Sequence, residues 1–248
     1  RPPRSTLFPY TTLFRSPELD QSGVSHSLSL NDPLRLREVS PRHFAVRGTP
    51  TDCVIMGARH ILGDKLPDLV LSGVNKGRNV AEDVVYSGTI AGALEGTILG
   101  FPSFALSQEF SIETRNAPLW DTGLKFGPDI IRKVIGAGVP RNTVINVNFP
   151  SCMPDDVKGI RITRQGKRNQ GFLKIDRRHD GRGNPYFWIG FERAAMMDTP
   201  AEGTDLAALA ARYVSVTPLR LDRTDEVFSE TDRKSTRLNS SHMSISYA

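Results

Sequence analysis

Four short segments carry residue types that could do chemistry. The first, residues 72–79, reads Ser72, Gly73, Val74, Asn75, Lys76, Gly77, Arg78, Asn79 and follows an apolar run at 67–71. Glycines let backbone amides approach an anion, and Asn side chains can coordinate a metal or donate to phosphate. Ligands of open α/β sheets collect at the carboxyl ends of strands, where this segment would lie. It is neither a Walker loop nor a dinucleotide fingerprint, so by itself it reads equally as an Asn/Gly turn. The second segment, Tyr86, Ser87, Gly88, Thr89, stands at a helix start. Free N–H groups and the positive dipole end make such a place a ready phosphate site, although a plain Ser N-cap is the commoner use. Only eight residues separate the two, which favours one shared site.

The third segment, residues 20–27, offers Asp20, Ser22, Ser25 and His26 within one short loop, and is otherwise a polar turn. The fourth, residues 166–184, carries Lys167, Arg168, Lys174, Arg177, Arg178 and Arg182, with Phe172, Tyr186, Phe187 and Trp188 alongside. Basic residues among aromatics can bind nucleic acid; a solvated hairpin extension packing at an oligomer contact is the preferred reading. The five histidines form no zinc-hydrolase spacing. Cys53 falls inside a helix and reads as core.

The elements that must position these residues alternate between helix and strand. Thr49 caps a helix with Pro50 in its first turn, running to Gly63. Residues 67–71 read as a strand buried on both faces, with 72–79 as a loop. A helix begins at Ser87, where Ile90, Leu94 and Ile98 line one face and Gly88, Gly92 and Gly96 admit a close neighbour. A strand at 101–106, an amphipathic helix at 118–135 and a strand at 144–149 follow. Residues 160–164 and 186–190 alternate like hairpin partners. A helix at 205–212 leads into a strand at 213–219. This order predicts an α/β fold: a mostly parallel sheet with helices on both faces, plus an antiparallel β-hairpin.

Composition narrows the function. The chain has 248 residues, 38% hydrophobic and 24% charged, which supports a packed core. It contains no apolar stretch of membrane-spanning length. Cys53 and Cys152 are its two cysteines, as expected of a reducing, cytoplasmic setting. The net charge of +5 lies in the ends. Residues 1–16 and 233–248 each carry three basic residues and no acid, and without them the balance is −1. Segment 1–16 is a near-mirror about Pro9 and Tyr10 without helical or strand period, and both ends resemble translated adapter sequence. The expected division is a non-native tail at 1–16, a main α/β body at 17–150, a hairpin-bearing region at 151–232, and a second non-native tail at 233–248.

Residues 20–30, 48–53, 67–79 and 86–89, with later matches at 146–150, 159–164, 203–205 and 213–218, together resemble the SurE family of metal-dependent 5'/3'-nucleotidases. The resemblance spans about residues 17–228. It implies a Rossmann-like phosphatase core at 17–150 followed by a β-hairpin and C-terminal oligomerisation segment at 151–232, hydrolysis of nucleoside monophosphates to nucleoside and phosphate, and one divalent ion per subunit, Mg²⁺ or Mn²⁺. It implies metal ligation by Ser22 and Asn75, and phosphate contacts from Gly77, Asn79, Ser87, Gly88 and Thr89. Homodimers or homotetramers are implied, with no nucleic-acid or membrane partner. The family's ligand set also includes paired aspartates on an opening strand. Glu18 and Asp20 belong to the serine loop and do not match them, so the catalytic residues are not assigned and this chain is expected to be nearly inactive. Two other chemistries stay open: a serine hydrolase using Ser87 or Ser22 with His26, and a non-catalytic phosphate-binding fragment.

Overall fold

The computed structural model describes residues 14–17, 23–168, 173–191 and 199–229. Strands β1 (Phe14–Pro17), β2 (Arg35–Ser40) and β3 (His43–Arg47) form a small sheet in the order β1-β3-β2. β1 runs parallel to β3, pairing Phe14 with His43 through Pro17 with Val46. A segment without strand period thus still supplies Phe14, Arg15 and Ser16 to a sheet. Backbone pairing needs no side-chain alternation on an edge.

Helix α1 (Pro50–Ile55) starts where the sequence places it. Thr49 Oγ1 accepts from the Asp52 N–H and the Asp52 carboxylate accepts from the Thr49 N–H, closing a capping box. The helix widens into a π-helical turn over Met56–Ile61. Strand β4 (Val70–Lys76) then extends well beyond the expected apolar run. Residues 72–76 are strand rather than loop, with the ladder to the next strand shifted between Ser72 and Asn75. Gly73 explains the misreading. It has φ +124°, and a Cβ there would lie 2.3 Å from the Leu106 carbonyl oxygen. Only glycine fits so close to the neighbouring strand, yet glycine signals a turn in sequence. β4 is also an edge strand of half-exposed residues, not one buried on both faces.

After α2 (Asp83–Tyr86), α3 (Gly88–Ile98) lies on β4 and on β5 (Ser103–Gln108). The expected close approach is present. A Cβ at Gly92 would stand 2.9 Å from Ser72 Oγ, and one at Gly96 2.5 Å from Ser103 Oγ. α4 (Trp120–Ala137) follows, then β6 (Thr143–Phe149), whose seven residues are all buried. α3 and α4 cover opposite faces. Ile90, Ala93 and Leu94 meet Ala105 and Val144, whereas Ile130 and Ile131 meet Phe104, Leu106, Ile145, Val147 and Phe149. Strict alternation along β5 and β6 sends neighbouring residues to opposite helices.

The second half corrects one pairing. β7 (Ile160–Ile162) does not pair with residues 186–190. It runs parallel to β10 (Val214–Arg220), which follows α5 (Asp205–Ala210) and is antiparallel to β6. The hairpin is made instead by β8 (Leu173–His179) and β9 (Pro185–Phe191), so the supposed basic link contains a strand. Its turn was readable at residues 180–183. The Asp180 carboxylate accepts from the Arg182 and Asn184 N–H groups, and Gly183 adopts φ +83°. The larger sheet has the order β4-β5-β6-β10-β7 and is parallel except at β6/β10. The fold is a mostly parallel α/β sheet with helices on both faces. Among the described residues no helix is long and apolar enough to cross a membrane.

Candidate functional site

The site gathers where β4 and β5 end. Asn75 is the penultimate residue of β4, and its Nδ2 donates to the Gly77 carbonyl at 2.9 Å, which directs Oδ1 the other way. Gly77, at φ +126°, donates its N–H to the Gln108 carbonyl. Arg78 Nη1 donates to Glu109 Oε1, whose other oxygen accepts from the Ser151 N–H. Asn79 is nearly buried and donates Nδ2 to Ser107 Oγ, leaving the second proton of that amide without a partner among the described residues.

Eight residues on, Ser87 caps α3, its Oγ accepting from the Ile90 N–H. The amides of Gly88 and Thr89 then belong to the first turn, which has no intrahelical acceptors, and the helix dipole adds positive potential there. A Ser side chain used as a cap, beside two first-turn amides, is an arrangement that can seat an anion of phosphate size.

Between these two ends the chain is strapped down. The Arg168 guanidinium is buried and grips both Asp83 oxygens at 2.5 and 2.6 Å, while the Arg168 N–H donates to Glu82. Asp205 is fully buried and accepts from the N–H groups of Ala81, Gly166 and Leu206. Burial pushes its carboxyl above the ordinary range against those three donors and the Arg168 charge. Arg168 is therefore a structural cation and not part of a basic surface. Arg178 pairs with Asp176, and Arg177 stacks over Phe187, in keeping with a solvated hairpin. Phe172 lies outside the described residues.

The polar loop at 23–30 is tied to the same elements. Ser25 donates its N–H to the Tyr86 carbonyl and its Oγ to that of Val85. His26 Nε2 meets Glu95 Oε2 at 3.0 Å. Ser29 gives its N–H and Oγ to Asp52, and Thr49 donates to the Ser27 carbonyl. This disposes of a Ser87–His26 pair. The serine hydroxyl caps its own helix, and the imidazole faces a carboxylate two turns farther along α3. Ser22, like Glu18 and Asp20, lies outside the described residues.

A hard divalent cation of the Mg²⁺ class needs several oxygen ligands, carboxylates foremost. Among the described residues no three His, Cys, Asp or Glu side chains come together to hold one. Asn75 contributes one neutral amide oxygen. The described donors do not fit a complete site for such an ion. Asn146 and Asn148, which brace Asn79 from β6, were missed in the sequence. Their signal was there: two amides alternating within an otherwise apolar strand.

The family described as Survival protein SurE is matched over residues 10–171, reaching into the first sixteen residues. A 5'-nucleotidase SurE from Rhodopseudomonas palustris (strain HaA2) is 83% identical over 216 residues, covering 87% of this chain and 85% of the relative. One from Bradyrhizobium diazoefficiens (strain JCM 10833 / BCRC 13528 / IAM 13628 / NBRC 14792 / USDA 110) is 86% identical over 215 residues, covering 87% and 84%. The crystal structure of the SurE protein from Aquifex aeolicus superposes with a TM-score of 0.75 at 40% identity, covering 91% of this chain and 88% of that one. With a family match over more than half of the chain and relatives above 80% identical across most of their length, this chain belongs to the SurE family.

Proposed function

We propose that this chain carries the body of a nucleotidase that hydrolyses nucleoside monophosphates to nucleoside and inorganic phosphate. The observation that carries the reading is its 82–86% identity to relatives named 5'-nucleotidase SurE, over 84–85% of their length. The site is suited to the part of the reaction that its own residues can serve. The Gly88 and Thr89 amides, aided by the second N–H of Asn79 and the Gly77 turn, seat the phosphoryl oxygens and stabilise the charge that grows on them. Asn75 Oδ1 and Ser22 are assigned to the metal that the family resemblance implies, Mg²⁺ or Mn²⁺. Two neutral oxygens do not offset the dehydration of such an ion. On that ground the chain's own turnover is placed well below that of its relatives, and no catalytic step is drawn through the metal.

The rest of the assignment follows from the parts. The β8–β9 arm is an isolated two-stranded sheet, marginal by itself in water, with Trp188 59% and Ile189 77% exposed. That supports a homodimer or homotetramer closed through the region 151–232. The match to the Rhodopseudomonas relative leaves 32 residues of this chain outside it, as many as 1–16 and 233–248 contain together. This supports a body at 17–232, with its phosphatase core at 17–150. Cys53 and Cys152 are buried and form no disulfide, which accords with a reducing cytoplasm.

Phosphate release from a panel of nucleoside monophosphates, with Mn²⁺ and with chelator, tests the reading on this chain beside the Bradyrhizobium relative. The relative turns over in Mn²⁺ and stops in chelator, and this chain releases phosphate at least about tenfold more slowly. A relative silent on the whole panel refutes the reaction. Equal rates refute the impairment.

A further inference from the structure

The 12-residue path from Asn75 to Ser87 joins the two halves of the site, so whatever fixes Asn79 fixes their separation. Asn79 is held at three points by fully buried polar groups. Its N–H donates to Asn148 Oδ1 at 2.8 Å. Its carbonyl accepts from Asn146 Nδ2 at 2.8 Å and from Asn148 Nδ2 at 3.1 Å. Its own Nδ2 donates to Ser107 Oγ at 2.8 Å. Asn148 Nδ2 also donates to Asn146 Oδ1 at 3.2 Å, which fixes the amide orientation of both.

This placement is costly unless it is used. Amides in the middle of a sheet forgo the apolar contacts that Val147 and Phe149 make on the other face, and each must be fully paired to break even. Asn148 is matched to one target: its oxygen takes the Asn79 N–H while its nitrogen takes the Asn79 carbonyl. That two-point grip holds the two peptide units that flank the Asn79 Cα, leaving the Asn79 side chain with a single direction and one unspent N–H.

We propose that Asn148, backed by Asn146, is a positioning residue that holds Asn79 and the strap behind it at the spacing phosphate binding requires. The proposal rests on the phosphate-seating role given above to Asn79, Gly88 and Thr89. It adds a pair of residues on β6 that never touch the ligand.

The test is an NMR titration of the full, ¹⁵N-labelled chain with inorganic phosphate, following the Asn79, Gly88 and Thr89 amides, which needs no turnover. Asn148→Leu keeps the bulk and removes both hydrogen bonds. Val147→Ala, on the opposite face of the same strand, supplies a destabilised control. The wild type shows saturable shifts, Asn148→Leu weakens the phosphate affinity about tenfold, and Val147→Ala leaves it unchanged. A loss in Asn148→Leu no larger than in Val147→Ala overturns the positioning role and spares the phosphate seat. A wild type whose Gly88 and Thr89 amides ignore phosphate overturns the seat and the positioning role with it. Should Asn148→Leu not fold, Asn146→Val removes one donor to the Asn79 carbonyl and the acceptor that orients Asn148, keeping both Asn148 bonds to Asn79; about a threefold weakening supports the role, and unchanged affinity refutes it.

Discussion

Asp52 is the junction on which the serine loop hangs, and removing its carboxylate should loosen loop and helix together. The residue is 3% exposed and accepts three hydrogen bonds: from the Thr49 N–H at 2.8 Å, Ser29 Oγ at 2.6 Å and the Ser29 N–H at 3.2 Å. Asp52→Ala opens the capping box of α1, worth about 1 kcal/mol. It also strips a charged acceptor from two Ser29 donors, worth about 1.5–3 kcal/mol. The two losses overlap, so the expected cost is about 3 kcal/mol. Asp52→Asn keeps the shape but turns an NH₂ toward a donor, and should cost about half as much. Burial pushes the Asp52 carboxyl up, but the Ser29 and Thr49 donors outweigh it and hold it below its ordinary value of 3.8. A carboxyl depressed in the folded state stabilises fully above the unfolded value and ceases to do so as pH falls through the folded one. The gap between wild type and Asp52→Asn should therefore be full at pH 7 and shrink below pH 3.8. Urea melts at pH 7 and pH 3 measure it. A gap that does not change with pH, or Asp52→Ala within about 0.5 kcal/mol of wild type at pH 7, refutes the reasoning.

Gly73→Ala places a methyl 2.3 Å from the Leu106 carbonyl at φ +124°, so β4 must part from β5; a loss on the order of 4 kcal/mol is expected in thermal or urea melts. Arg168→Met leaves the half-buried Asp83 carboxylate without its bidentate partner; about 3 kcal/mol should be lost, and much of it regained in the Arg168→Met, Asp83→Leu double variant. Ser87→Ala should cost about 1 kcal/mol of α3 capping, read as a lowered midpoint in urea melts.

The α/β sheet was legible because its central strands and its helices obey simple periods. Residues of β5 and β6 alternate between two helices, and Thr49 with Pro50 announces α1. The errors share one physical origin. Gly73 in β4 and the turn around Gly183 are both glycines, but one permits contact with a neighbouring strand and the other permits a bend, and local sequence carries no sign of which. The β7 pairing failed for a related reason. Alternation says that a segment is a strand and not which strand it meets, and Ile160–Ile162 meets β10 more than fifty residues on.

The site shows the same division between local and distant information. Asn75, Gly77, Asn79, Ser87, Gly88 and Thr89 fall in one stretch of chain, so their types and spacing could be read as a unit. What fixes that stretch comes from far along the chain: Asn148 to Asn79, Arg168 to Asp83, Asp205 to Ala81. Each is a polar residue that would be expensive to bury alone, and each is buried against this one segment. Three separate polar side chains converging on residues 79–83 tie that stretch to three distant parts of the chain. If that stretch joins an amide ligand to an anion seat, as proposed, it has to resist movement, because a shift of an ångström in their spacing would undo both.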